Sequence, residues 1–379
     1  MIREVDGCCN IFRKIAVKLR MKTLVNNIFL LCLLCLTLMV VGVKGQSGGY
    51  DSYRFVNLPL SAKQLSLGGM NYAHSDNDFV GGMFNPAMND TMMHHTGVFT
   101  FSTLFDNIRY GVFSYAYSIN RELTLRILVQ NVGYGKFEET DEIGNVTGTF
   151  KASDNVFGFS AGYNVWQGLY MGGALKVLYS DYYYQQSTVI MMDFGGWYES
   201  PDERWSGSVL VQNAGMPIKN YVKGNRPSMP FRINTSFGVH PENMPFKFHI
   251  SYNDWQKFNL TEDTLTRNER IQLYGTPDSN KIGFMEKFMR HVGLGVEFVP
   301  GTGFALRFGM DYRRRKEFVF ASRKGLIGYS AGFEVMIKKF RFSYGLSAYH
   351  LGYTQHMFTL SKKLANGRMK NKRKAENEG

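Results

Sequence analysis

Long apolar runs are scarce in this 379-residue chain, and so are cysteine, charge and helical periodicity. A helical membrane protein needs several runs of about 18 or more apolar residues, and this chain has one. A doubly wound enzyme would set helical periodicity between continuous apolar strands, and almost none is found. Disordered chains are poor in aromatics, whereas Phe, Tyr and Trp make up 15% here, alongside 40 Gly. Only 20% of residues are charged. Abundant Tyr, Phe and Gly at ordinary polarity fit a protein built from half-exposed strands.

The four cysteines, Cys8, Cys9, Cys32 and Cys35, all precede residue 36. Residues 21–45 run from Met21-Lys22 through an apolar core, Ile28 to Val43, to Val43-Lys44-Gly45. A charged start, an apolar middle and a small-x-small end make a secretory signal peptide. The other reading of this run is a single anchoring helix. Residues 1–20 read as an over-extended start, with Met21 as the initiator. An exported chain from Gln46 then lacks cysteine, and with it disulfides and thiolate metal sites.

The net charge of +13 shrinks on the same division. From residue 46 onward 37 basic residues face 29 acidic ones, a net of +8, and residues 361–379 hold +5 of that. A body near +3 gives no basis for binding nucleic acid. Residues 365–379 read as a basic disordered tail.

From residue 97 the pattern is period two. Phe231, Ile233, Thr235, Phe237 and Val239 alternate with Arg232, Asn234, Ser236 and Gly238. Val292, Leu294, Val296 and Phe298 alternate with His291, Gly293, Gly295 and Glu297. One face is apolar and aromatic; the other is small, polar or charged. A water-soluble sandwich would alternate in the same way, but its strands average about 5–6 residues. Strands of about 9–13 residues match the 9–11 that cross a bilayer when tilted. Aromatics near strand ends (Tyr179, Tyr182 to Tyr184, Tyr349, Tyr353) fit interfacial girdles.

Fourteen such segments span 97–364, and the connections after the even-numbered ones are short. Long connections, roughly 135–152, 214–230, 256–288 and 313–325, follow segments three, seven, nine and eleven. The fold class expected is all-β: a transmembrane antiparallel β-barrel of about fourteen strands in a Gram-negative outer membrane. The parity places both termini in the periplasm.

Residues 46–96 do not alternate, and a barrel this wide needs filling, so they read as an N-terminal plug. The stretch Ser61 to Leu67 reads as a short helix ending at Gly68-Gly69, with an Asn85-Pro86-Ala87 turn beyond. These glycines, the acidic Asp76-Asn77-Asp78 and that turn resemble the hatch of FadL-like fourteen-stranded barrels. More narrowly, three blocks resemble the PorQ family of type IX secretion system outer-membrane proteins, within the wider PorV/FadL-like group. They are Gly49-Tyr50-Asp51-Ser52-Tyr53-Arg54-Phe55-Val56-Asn57-Leu58-Pro59, then Tyr134-Gly135-Lys136-Phe137 with Thr140 to Asn145, Gly148-Thr149-Phe150 and Ala152-Ser153-Asp154, and His356-Met357-Phe358-Thr359-Leu360. The resemblance spans residues 47–364. It implies a non-catalytic outer-membrane component that anchors a PorZ-like surface protein of the cargo attachment complex. The alternative is a FadL-like channel for uptake of small hydrophobic molecules.

No catalytic constellation is found, and no cofactor is expected. His94-His95 reads as a solvated or plug-facing pair rather than a metal site, since no third ligand is near in sequence. Arg126, Lys176, Arg232, Lys247, Glu297, Arg307, Asp311, Glu334 and Arg341 fall on the inward face. Both signs occur there, which favours pairing that holds a plug over a charge-selective pore. Glu138, Glu139, Asp141 and Glu142 make the third connection acidic. Arg313, Arg314, Arg315 and Lys316 make the eleventh basic, a candidate contact for lipopolysaccharide phosphate. The connection 256–288, as the longest, is the candidate partner-binding loop.

Overall fold

A computed structural model describes residues 52–364, apart from 74–77, 106–107, 223, 225–226, 261–282, 302, 318–324 and 351–352. The signal-peptide and tail assignments, and most of the 256–288 connection, lie outside the described residues.

Fourteen antiparallel strands close into a barrel in sequence order, with β1 (Thr96–Leu104) hydrogen-bonded to β14 (Tyr353–Lys363). Between them run β2 (Ile108–Ser118), β3 (Leu123–Thr140), β4 (Val146–Trp166), β5 (Leu169–Tyr182), β6 (Gln185–Glu199) and β7 (Trp205–Lys219). The circuit continues through β8 (Arg232–Val239), β9 (Phe246–Tyr252), β10 (Val292–Gly301), β11 (Phe304–Asp311), β12 (Tyr329–Ile337) and β13 (Phe340–His350). Closure gives every strand a neighbour on both sides within the barrel wall, which is what a sheet facing lipid requires.

The alternation read in the sequence sets which way each side chain faces. Phe99, Phe113, Ile127, Phe157, Phe194, Phe237, Phe248 and Phe308 point outward and are about half exposed, while Ser114, Thr124, Asn234, Ser236 and Thr359 point inward and are buried. An apolar exterior around a polar interior is the arrangement of a bilayer-spanning barrel. Among the described residues no helix is long and apolar enough to cross a membrane; the strands do so.

The short connections after β2, β4, β6, β8, β10 and β12 share one rim, and the long ones gather at the other. Two expected loops are in fact strand. β3 runs to Thr140 and β4 starts at Val146, so most of 135–152 is a hairpin; β7 continues to Lys219. In both cases a bulge interrupts the alternation and the ladder resumes beyond it. The β3–β4 register shifts between Gly133 and Lys136, where Gly135 has φ +89°, and the β6–β7 register shifts opposite Asn213, φ +58°. The connection after β11 is not all irregular either. It opens with a helical turn, Tyr312–Glu317.

The described residues between Ser52 and His95 line the inside. Helix α1 (Ala62–Ser66) is capped by Ser61, whose hydroxyl accepts from the Gln64 N–H at 3.2 Å. It stops at Gly68 and Gly69, both left-handed, where the Gly69 N–H reaches the Gln64 carbonyl at 2.8 Å. Helix α2 (Gly81–Phe84) follows, then a 3-10 turn over Pro86–Met88. The segment enters at the long-loop rim, where the Ser52 N–H donates to Ser228 O and the Tyr53 hydroxyl meets Ser187 Oγ. It reaches β1 at the short-turn rim. Ser52 and Leu364 therefore lie at opposite rims; the termini, which loop parity places together in the periplasm, lie outside the described residues.

Candidate functional site

The inner segment meets the wall along two rows of glycine. On one side Gly162 of β4, Gly172 of β5 and Gly195 of β6 are direct cross-strand neighbours. The Asn85-Pro86-Ala87 turn lies on them. A Cβ at Gly172 would sit 2.3 Å from the Pro86 carbonyl carbon, one at Gly162 2.6 Å from Asn89 O, and one at Gly195 2.0 Å from Asn85 Oδ1. No side chain fits there. The turn holds its own shape, because Asn85 Oδ1 accepts from the Ala87 N–H at 3.0 Å and Pro86 fixes the first position.

On the facing wall Gly295 pairs with Gly309, and Gly332 with Gly345. Here α1 and its glycine end lie on β11 to β13. A Cβ at Gly309 would meet Gly68 N at 2.2 Å, and one at Gly345 would meet Ala62 O at 2.5 Å. The Ala62 N–H donates to Thr359 Oγ1 at 2.8 Å, and the Ser330 hydroxyl to Ser66 O at 3.1 Å. Of the residues expected to form a hatch motif, Gly68, Asn85, Pro86 and Ala87 lie against wall glycines. Gly69 lies beside Pro59 and Arg314.

A buried ion network joins α1 to this second wall. Lys63 Nζ lies 3.4 Å from Asp78 and 3.5 Å from Glu297, above the Tyr72 ring. Glu297 accepts from Arg307 Nε at 2.7 Å and is hydrogen-bonded to His249 at 2.8 Å; Arg307 also reaches Glu334 at 3.1 Å. Arg341 pairs with Glu334 at 3.3 Å, and the Tyr72 hydroxyl donates to Asp78 at 2.5 Å. Three cations (Lys63, Arg307, Arg341) therefore face three carboxylates (Asp78, Glu297, Glu334). Buried charge is tolerable only when paired and hydrogen-bonded in this way. Arg126 makes a separate clasp on the first side, donating to Asn89 Oδ1 at 2.7 Å, Ser114 Oγ at 2.8 Å and Phe79 O at 3.2 Å.

Two cavities beside the inner segment are small. One cavity of about 90 Å³ is lined by Asn57, Gln64, Asn71, Gln212, Arg232 and Arg314, among others. Another, of about 20 Å³, lies between Phe84, Leu128, Phe159 and Lys176. The first is lined largely by polar side chains. Neither approaches the roughly 300 Å³ of an apolar ligand pocket.

The basic run of the eleventh connection is partnered. Arg313 lies 3.3 Å from Asp254, Arg314 3.3 Å from Asp311, and Lys316 3.8 Å from Glu286. Arg315 donates to the Gly325 and Ile327 carbonyls and stacks on Tyr329. At this rim Arg232 also grips Asp254 at 2.7 Å. Burial raises the Asp254 pKa, but the Arg232 charge and hydrogen bonds outweigh it, and the carboxyl falls to about 2.

His94 accepts from the Ser118 N–H at 3.1 Å, and His95 is bonded to the Tyr115 hydroxyl at 2.6 Å. Among the described residues no group of three or more His, Cys, Asp or Glu is placed to hold a metal. Sequence reasoning placed Glu297, Arg307, Glu334 and Arg341 inward but missed Lys63 and Asp78 as their partners. It noted inward glycines without pairing them.

No family model matches the sequence, and no curated relative matches it. Solved structures of similar architecture include the toluene transporter TbuX of Ralstonia pickettii, at 11% identity and a TM-score of 0.46 over 81% of this chain and 99% of that one. The monoaromatic hydrocarbon channel CymD matches at 12% and 0.45 over 80% and 96%. A FadL homologue of Pseudomonas aeruginosa matches at 10% and 0.40 over 79% and 97%. The fourteen-strand closure itself rests on the strand pairing described above.

Proposed function

We propose that this chain is a sealed outer-membrane barrel that anchors a partner at its long-loop rim. The observation that carries this reading is the fit of the described residues between Ser52 and His95 against the wall glycines, beside which lie cavities of only about 90 and 20 Å³. A barrel closed in this way offers the cell a fixed platform rather than a path. Short turns face the periplasm in outer-membrane barrels, which puts the long-loop rim outside. The resemblance of residues 47–364 to the PorQ family supplies the partner's identity: a PorZ-like surface protein of the type IX attachment complex. Arg313 to Lys316 sit at that rim as a candidate contact for lipopolysaccharide phosphate, in exchange for their present carboxylate and, for Arg315, carbonyl partners.

A second reading, uptake of small hydrophobic molecules, is favoured by one feature. The bulge at Asn213 interrupts β7 near mid-strand, where Asp193 accepts from the Asn213 N–H at 2.7 Å and pairs with Lys176 at 2.7 Å. Lys176 and Asp193 line the 20 Å³ cavity, so a shift of the inner segment would open a lateral route there. TbuX is a toluene transporter and CymD a monoaromatic hydrocarbon channel, at a similarity too low to transfer either role. Solubilising the tagged protein in detergent and identifying what co-purifies separates the two. A large exported partner supports anchoring; a lone barrel carrying a hydrophobic small molecule supports uptake.

A further inference from the structure

The wall of the barrel is uneven in height. β3 and β4 have 18 and 21 residues, against 8 and 7 in β8 and β9. β2 pairs with β3 only as far as Gly133, and β5 pairs with β4 only from Ala152. Beyond those points Lys136–Thr140 and Val146–Lys151 pair with each other and with no other described strand. At about 3.4 Å per residue, the four steps from Lys136 to Thr140 extend a two-stranded ribbon roughly 14 Å along its strands past the neighbouring pairings.

This ribbon is held rigid. Phe137 and Phe150 are cross-strand partners stacked at 5.3 Å, and Phe150 rests on Tyr183 at 4.7 Å. The Tyr183 hydroxyl donates to Glu139 at 2.6 Å, bracing the ribbon from the β5–β6 turn. At the tip Asp141 accepts from the Ile143 N–H at 3.1 Å, the Asn145 N–H at 2.8 Å and the Asn145 amide at 3.0 Å, while Gly144 takes φ +88°. A free-edged ribbon is a ready template for strand addition, and one already ordered loses little entropy on binding.

The charge at the tip names the occupant. Glu138, Glu139, Asp141 and Glu142 are all acidic, and no basic residue lies between Glu138 and Asn145. Ile143 and Val146 are exposed beside them, at 84% and 58%. An acidic tip is repelled by the anionic phosphates of the outer leaflet, which leaves a cationic polypeptide as the complementary surface.

We propose that the β3–β4 ribbon is the docking element for the surface partner, and that it binds an extended Lys/Arg-bearing segment of that partner along a free strand edge. The inference rests on the anchoring reading and locates it on one hairpin.

The test uses full-length tagged protein in native membranes, with zero-length carbodiimide coupling of carboxylates to amines before detergent capture. Wild type is expected to give cross-links from Glu138, Glu139 or Glu142 to lysines of the captured partner. Glu138→Lys with Glu142→Lys keeps the backbone and should lower recovery about tenfold, equivalent to about 1.4 kcal/mol, with a steep dependence on salt. Replacing residues 136–151 with an Asn-Gly turn should abolish recovery while the barrel keeps its heat-modifiable gel mobility. Undiminished recovery from both variants, with cross-links elsewhere, overturns the ribbon and leaves anchoring intact. Cross-links only between two copies of this chain also overturn it. No partner captured by wild type under any condition removes the anchoring reading, and the ribbon proposal falls with it.

Discussion

Against β4 to β6 the inner segment presents bare backbone to bare backbone, whereas against β10 to β13 it adds a network of six charged groups. The first contact is made by shape. Pro86 and Asn89 carbonyls occupy the space where Cβ atoms of Gly162 and Gly172 would be, and Asn85 fills that above Gly195. The second contact combines the same device, at Gly309 and Gly345, with the Lys63–Glu297–Arg307–Glu334 chain. Glycine rows fix how close the segment lies, and paired charges fix which face it turns to the wall. Shape alone resists any added atom. Charge resists only loss of a partner.

The largest effect should come from Gly172→Leu, because backbone at 2.3–2.4 Å cannot yield as a side chain could. The segment should fail to seat, read as protease cleavage within residues 52–95. Gly196→Leu, one residue along the neighbouring strand with nothing within 4 Å, should be tolerated. If both variants behave alike, the glycine-row account is wrong.

Glu297→Gln tests the charged side. It leaves Lys63 and Arg307 short of a carboxylate, and breaking a buried pair costs about 3–5 kcal/mol. Urea unfolding of the refolded barrel should shift accordingly, with a smaller shift for the exposed pair Arg204–Glu242. Asn85→Ala should cost about 1 kcal/mol through loss of the cap on the Ala87 N–H, and it also empties the space above Gly195.

The smallest effect is at the rim. The Asp254 pKa lies below the usual carboxylate range, at about 2, so its stabilising tie to Arg232 and Arg313 is complete above that range. Stability contributed here should fade as pH drops from about 4 toward 2, and Asp254→Asn should flatten that slope in acid unfolding.

Strand number, facing and loop parity were legible because period-two alternation survives in almost every strand. It fails where a bulge flips the face. Reading alternation ends β3 near Tyr134 and β7 near Asn213, the positions of the two bulges, and so converts the β3–β4 ribbon into a loop. The inward glycines were visible as small residues on the polar face, yet their alignment depends on hydrogen-bond register between strands. Gly162, Gly172 and Gly195 become one row only when β4, β5 and β6 are paired at those offsets. Lys63 and Asp78 carried no signal as partners of Glu297, because their meeting depends on where α1 docks.

Single-channel recording in planar bilayers tests the seal most directly. The full-length barrel should show no steady conductance, and removal of residues 52–95 should open a stable pore of fixed size. Steady conductance from the intact protein, unchanged by that removal, would contradict a barrel closed by its own N-terminal segment.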